Sequence, residues 1–237
     1  RYQIFPGEPI DVIHREFLAG NLEDSPVPFE ARGKPGPYQY IRRPMFSVRF
    51  YGFNTRYKPL DDRRVRQAMV HAIDREAMVA QHLRGLDFPG TGGLVPPGIP
   101  GHSPGIGLAF DPERAQSLLA EAGYPGGKGV PPLELLLLSA LGDLPHFVYL
   151  CDQWRQVLGI EVKRVPVNAE VFLQQLREGT TALARGAWLA DYPDPDNFLR
   201  VGLGYLGDVH WNPEYAGLVE AAGHGTDQAA RQVLYAQ

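Results

Sequence analysis

Residues 132–190 read PLELLLLSALGDLPHFVYLCDQWRQVLGIEVKRVPVNAEVFLQQLREGTTALARGAWLA. The run Leu133 to Ala140, apolar but for Glu134 and Ser139, predicts a strand. Phe147 to Leu158 reads as a helix that Gly159 ends. Ile160 to Val165 alternates and predicts a second strand. Asn168 is placed to cap a helix running to Glu178, with Gly179 as its stop. Ala182 to Ala190 predicts a third strand. Strands alternating with helices in this order imply an α/β layer with at least some parallel pairing and right-handed crossovers.

The flanks extend the pattern. Arg49 to Asn54 is aromatic and β-prone. Asp62 to Arg84 is helical, capped by Asp61 or Asp62, and Val65, Ala68, Met69, Ala72 and Ile73 form one apolar stripe. Asp74 predicts the cap of a second helix within that span, with Gly85 as its stop. Residues 86–109 form a Gly/Pro-rich loop, long enough to expect a function or packing onto a surface. Asp111 caps a helix with Pro112 in first position; Ala115, Leu118, Leu119 and Ala122 form its stripe, and Gly123 ends it. Two short helices, 213–222 and 227–237, close the chain. Residues 1–44 predict irregular structure with short strands.

Composition bounds the function. The 23 Lys and Arg against 27 Asp and Glu leave a net charge of −4, which argues against a surface built for nucleic-acid backbone. Cys151 is the only cysteine, so an internal disulfide and the cysteine-based metal frameworks are excluded. The histidines show no ligand spacing; His71, His82 and His146 read as ordinary surface or partly buried residues. The longest apolar run is far short of the roughly 20 residues of a membrane helix. Arg1 is not preceded by Met, and Gln237 falls inside a predicted helix, so the expectation is a piece of a longer protein.

The most unusual segment follows the third strand: Trp188-Leu-Ala-Asp-Tyr-Pro-Asp-Pro-Asp-Asn-Phe198. It sits at that strand's C-terminal end, the rim that ligands of open α/β sheets favour. Asp191, Asp194 and Asp196 are spaced by prolines, which prevent a helix. Trp188 and Tyr192 offer aromatic walls. Strand alternation places Arg185 on the face opposite Trp188 unless a bulge intervenes. The same residues also read as turn-forming aspartates beside a core tryptophan.

Four stretches together resemble the family 5 extracellular solute-binding proteins, the peptide- and nickel-type receptors of ABC importers. They are Gly7 to Ile13; Phe53-Asn-Thr55 with Pro59 to Ala68 and Ala72 to Arg75; Phe110 to Ala115 with Leu118 to Tyr124; and Trp188 with Asp191 to Pro195. The resemblance implies α/β architecture with a mixed sheet and flanking helices, one lobe of a two-lobed, periplasmic-binding-protein-like (class II) receptor. Residues 1–45 would be a first-lobe remnant and interlobe crossover, and 46–237 the second lobe, truncated at its C-terminus. It further implies that Asp191 holds a ligand α-ammonium, Arg185 lies near the ligand's C-terminal end, and Trp188 and Tyr192 line the cleft. Asp61, Arg64, Arg66, Asp74 and Arg75 belong to the signature, but capping and surface ion pairs account for them. The implied protein is a non-catalytic monomer with no cofactor, no protein-ligated metal and no nucleic-acid partner. Its partners are a peptide or other small solute and a membrane permease. Its location is periplasmic or extracellular, with a lipid anchor on the parent protein as one form. The rival readings are a ligand-sensing module of a transcription regulator or signalling protein, and an acid/base hydrolase using two of Asp191, Asp194 and Asp196.

Overall fold

A computed structural model describes residues 10–28, 31, 34–36, 38–39, 45–83, 85, 87–141, 144–203 and 212–237. The chain divides into two compact units, Arg1–Pro44 and Met45–Gln237. In the first, α1 spans Ile10–Leu18. This corrects the expectation of strands there. Ile10, Ile13, His14 and Phe17 share one face at helical spacing. The His14 ring is buried, lies against Phe17 and Tyr38, and pairs through Nδ1 with Ser25 Oγ at 2.9 Å.

The second unit is built on a four-stranded sheet in the order β1-β4-β2-β3. Its strands are β1 (Ser47–Phe53), β2 (Leu133–Leu138), β3 (Val162–Val167) and β4 (Leu183–Leu189). β2 runs parallel to both β3 and β4, and β1 pairs antiparallel with β4, so the sheet is mixed. β3 lies two residues later than the alternation predicts. Ile160 instead closes the preceding helix, its N–H bonded to Trp154 O, with its side chain in the core. Pro166 is tolerated inside β3 because this strand lies at the sheet edge, where a missing N–H need not break a ladder.

The helices form where local capping dictates. Asp62 caps α2 (Arg63–His71) by accepting from Arg64 N, and Asp74 caps α3 (Arg75–Ala77), which continues as a π-helical stretch, Met78–His82. Asp111 caps α4 (Pro112–Glu121) and Asn168 caps α6 (Ala169–Glu178). Between them, α5 (Pro145–Gln153) passes into a π-helical stretch, Trp154–Leu158, and ends on Gly159 in the left-handed region. α7 (Pro213–His224) and α8 (Gln228–Ala236) follow.

The main core gathers the α2 stripe, Leu118 and Leu119 of α4, Phe147 and Trp154, and Leu133, Leu135, Leu137 and Leu183 of the sheet. Trp154 Nε1 donates to Met69 O at 2.8 Å, which satisfies the one polar atom of a fully buried indole. The signature arginines serve the scaffold: Arg64 bonds Asp62 and Glu121 O, and Arg66 bonds Leu60 O and Asp61 O. The 86–109 loop is held by a second, smaller cluster. Val95 and Ile99 bury against Phe198, with Val48, Trp188 and Ala190 at its margin.

Candidate functional site

β4 ends at Leu189, and the chain then enters the Asp-Pro segment before a π-helical turn, Asn197–Gly202. The three aspartates have different fates. Asp196 is buried, accepts from Arg200 Nε at 2.7 Å and from the Tyr192 hydroxyl at 3.1 Å, and forms an ion pair with Arg200. The Arg200 guanidinium holds its carboxyl below the usual carboxylate range. Asp194 is paired with Arg231 of α8 at 2.8 Å and accepts the Asp196 backbone N–H at 2.9 Å. Asp191 is exposed, and among the described residues it has no ion pair. Its only side-chain hydrogen bond is a long one, 3.4 Å from Asn197 Nδ2 to Oδ2. Asp194 and Asp196 are thus both engaged by arginines of this unit.

Trp188 and Asp191 come together around one residue that the sequence reading did not single out. Asn197 is 0% exposed. Its Oδ1 accepts from Trp188 Nε1 at 2.7 Å and from the Asp191 backbone N–H at 3.2 Å. The Trp188 ring packs closely over Gly202, where an added Cβ would lie 2.8 Å from Trp188 Cγ. Tyr192 is 42% exposed, so its ring faces solvent while its hydroxyl is used internally. The only advance signal for Asn197 was its place at the end of the Asp-Pro run.

Arg185 is not part of that group. The β1–β4 register is regular from Ser47↔Leu189 to Phe53↔Leu183, with Tyr51 opposite Arg185 and Val48 opposite Trp188. No bulge intervenes, so Arg185 shares the Tyr51 face, the one the main core covers, while Trp188 lies on the other. Arg185 is half-buried and has no hydrogen-bond or ion-pair partner among the described residues. Burial and the like charge of Arg49 both push its pKa down. Arg49 itself is paired with Asp87.

His146, in the first turn of α5, belongs to the same electropositive region. It is 6% exposed, its Nδ1 has no hydrogen-bond partner, and burial followed by Arg49 and Arg185 lowers its pKa to about 4. The expectation of an ordinary histidine fails here, because the helix start that buries His146 brings it against a sheet face carrying two arginines. His71 is ordinary, bonding Ala109 O at 2.7 Å, and His82 packs on the Tyr149 ring. No group of three or more His, Cys, Asp or Glu side chains among the described residues is arranged to hold a metal ion.

This mixed sheet with flanking helices defines an α/β lobe of the class II periplasmic-binding-protein type. The family model for bacterial extracellular solute-binding proteins, family 5 (middle region), matches residues 11–207, and the chain belongs to that family. It is 31% identical to the probable deoxycholate-binding periplasmic protein YgiS of Escherichia coli K12, over 94% of this chain and 44% of that protein. It is 30% identical to the periplasmic oligopeptide-binding protein OppA of the same organism, over 87% of this chain and 39% of that one. The crystal structure of a dipeptide-binding protein from Pseudoalteromonas sp. SM9913 in complex with Met-Leu matches with a TM-score of 0.77 at 26% identity, covering 99% of this chain and 48% of that one. The chain spans less than half the length of these relatives.

Proposed function

We propose that this chain is the second lobe of a solute-binding receptor serving an ABC importer, and that the whole protein takes peptides with a free amino terminus. Residues 1–45 are then a first-lobe remnant and crossover; positions 40–44, which the crossover would include, lie outside the described residues. The observation that carries the reading is a pattern of charge. In a segment where Asp194 and Asp196 are each held by an arginine, Asp191 stands exposed and, among the described residues, without an ion pair. A ligand ammonium makes charge-assisted hydrogen bonds to such a carboxylate. A purely anionic solute such as a bile acid would meet repulsion at Asp191. Trp188 and Tyr192 supply apolar walls that accept many side chains.

The receptor closes its two lobes on the solute and presents the closed form to a permease in the membrane, from a periplasmic or extracellular position. It works as a monomer and catalyses nothing. Titration calorimetry of the full-length protein with a tripeptide library tests this. Asp191→Asn is expected to weaken binding at least thirtyfold, about 2 kcal/mol, because the ammonium loses its counter-charge in a closed site. Unchanged affinity in that variant would defeat the reading. The 237-residue chain by itself offers half a cleft and is expected to bind the library weakly or not at all.

A further inference from the structure

We propose that Asn197 is a positioning residue, its buried carboxamide setting the Trp188 indole and the Asp191 carboxylate in the arrangement that receives a ligand ammonium. The inference rests on the reading of Asp191 as the ammonium anchor. Among the described residues Asn197 makes three side-chain hydrogen bonds, and all three go to Trp188 or Asp191. The partners fix which way the amide points. Indole Nε1 and a backbone N–H can only donate, so the oxygen end must face them and the NH2 must face the carboxylate.

The amide is held from behind as well. The Asn197 backbone N–H donates to Asp194 O at 3.1 Å, and the Asp194 side chain is clamped by Arg231. The Trp188 ring is braced on one side by Gly202, where there is no room for a Cβ. The contact to Asp191 Oδ2, at 3.4 Å, is long. It orients the carboxylate while leaving most of its acceptor capacity for a cation. Asn197 itself is fully buried, so it acts on the ligand only through Asp191 and Trp188.

The test uses the full-length protein and two probes, a tripeptide library and the same library N-acetylated. The wild type is expected to prefer the free amine. Asn197→Ser, which keeps a small polar group but cannot span both partners, should shrink that preference roughly tenfold, the loss of about one hydrogen bond to a charged group. Affinity for the acetylated library should fall by much less, and the substitution should not shrink the preference further in an Asp191→Asn background. A preference that survives Asn197→Ser overturns the inference, and so does an equal weakening toward both libraries, which is what a purely scaffolding role predicts. A wild type indifferent to acetylation sinks the ammonium-anchor reading itself, a distinct outcome. If the serine variant does not fold, the wild-type Trp188 indole N–H resonance, assigned with Trp188→Phe, serves instead. It should shift further with the free-amine library than with the acetylated one; equal shifts overturn the proposal.

Discussion

Removing the Arg231 guanidinium should loosen α8 and the Asp-Pro segment together. Arg231 is 9% exposed and donates to Ala222 O at 2.8 Å, Gln228 Oε1 at 3.2 Å, Asp194 Oδ1 at 2.8 Å and the Tyr235 hydroxyl at 3.2 Å. Its guanidinium also lies 5.5 Å from the Tyr235 ring centroid. Breaking a fully buried pair by deleting one partner costs about 3–5 kcal/mol. The Asp194 side chain is 28% exposed and keeps the Asp196 N–H, so water and that donor recover part of the loss. We therefore expect Arg231→Met, which retains the apolar stem, to cost about 2–3 kcal/mol, the range of one well-placed hydrogen bond to a charged group. For a chain of this size that is a fall in Tm of about 4–12 °C. Urea unfolding gives the total, and amide hydrogen exchange locates it: protection should drop in α8 and at residues 191–197 and hold in β2. A double-mutant cycle with Asp194→Asn should return a coupling above 1 kcal/mol, as contacting charged partners do. Near-additive costs, or protection lost evenly across the sheet, would refute the assignment of Arg231 as the latch between α8 and the site segment.

Gly202→Ala should displace the Trp188 ring, with a cost of about 1–3 kcal/mol for overpacking and a changed Trp188 fluorescence; an unchanged spectrum would mean the ring is not held there. His146 makes the fold acid-sensitive. Its folded pKa of about 4 lies below the ordinary 6.5, so the unfolded chain takes up the proton first, and stability is full above pH 6.5 and falls as pH drops toward 4. The swing is at most about 3 kcal/mol, and His146→Phe should flatten that part of the stability-pH curve. Asp111→Ala removes the α4 cap that accepts from Arg114 N and should cost about 1 kcal/mol by denaturant titration.

Most of the fold could be read from the chain because its signals act within a turn or two. Asp62, Asp74, Asp111 and Asn168 each cap the helix that follows within three residues, and Gly159 and Gly179 each end one in the left-handed region. The α1 helix escaped notice because its amphipathic pattern runs for only nine residues beside stretches rich in proline and glycine. The long 86–109 loop read correctly as something held, but Val95 and Ile99 as the residues that hold it could not be found locally. Their partner, Phe198, lies about a hundred residues away.

The sequence by itself determined the family and, in the second unit, the order and type of most elements, because periodicity, capping and motif order are properties of neighbours along the chain; the roles expected of Asp191, Trp188 and Tyr192 are what the family resemblance implies. Only the tertiary structure decided which aspartate has no ion pair among the described residues. Asp194 is neutralised by an arginine 37 residues downstream and Asp196 by Arg200 one turn on, which leaves Asp191 exposed to solvent. It also set Arg185 apart from Trp188, since strand alternation separates them only if the pairing runs without a bulge, and pairing is made by a distant strand. Charge compensation and sheet register are contacts between remote segments, and no local pattern encodes them.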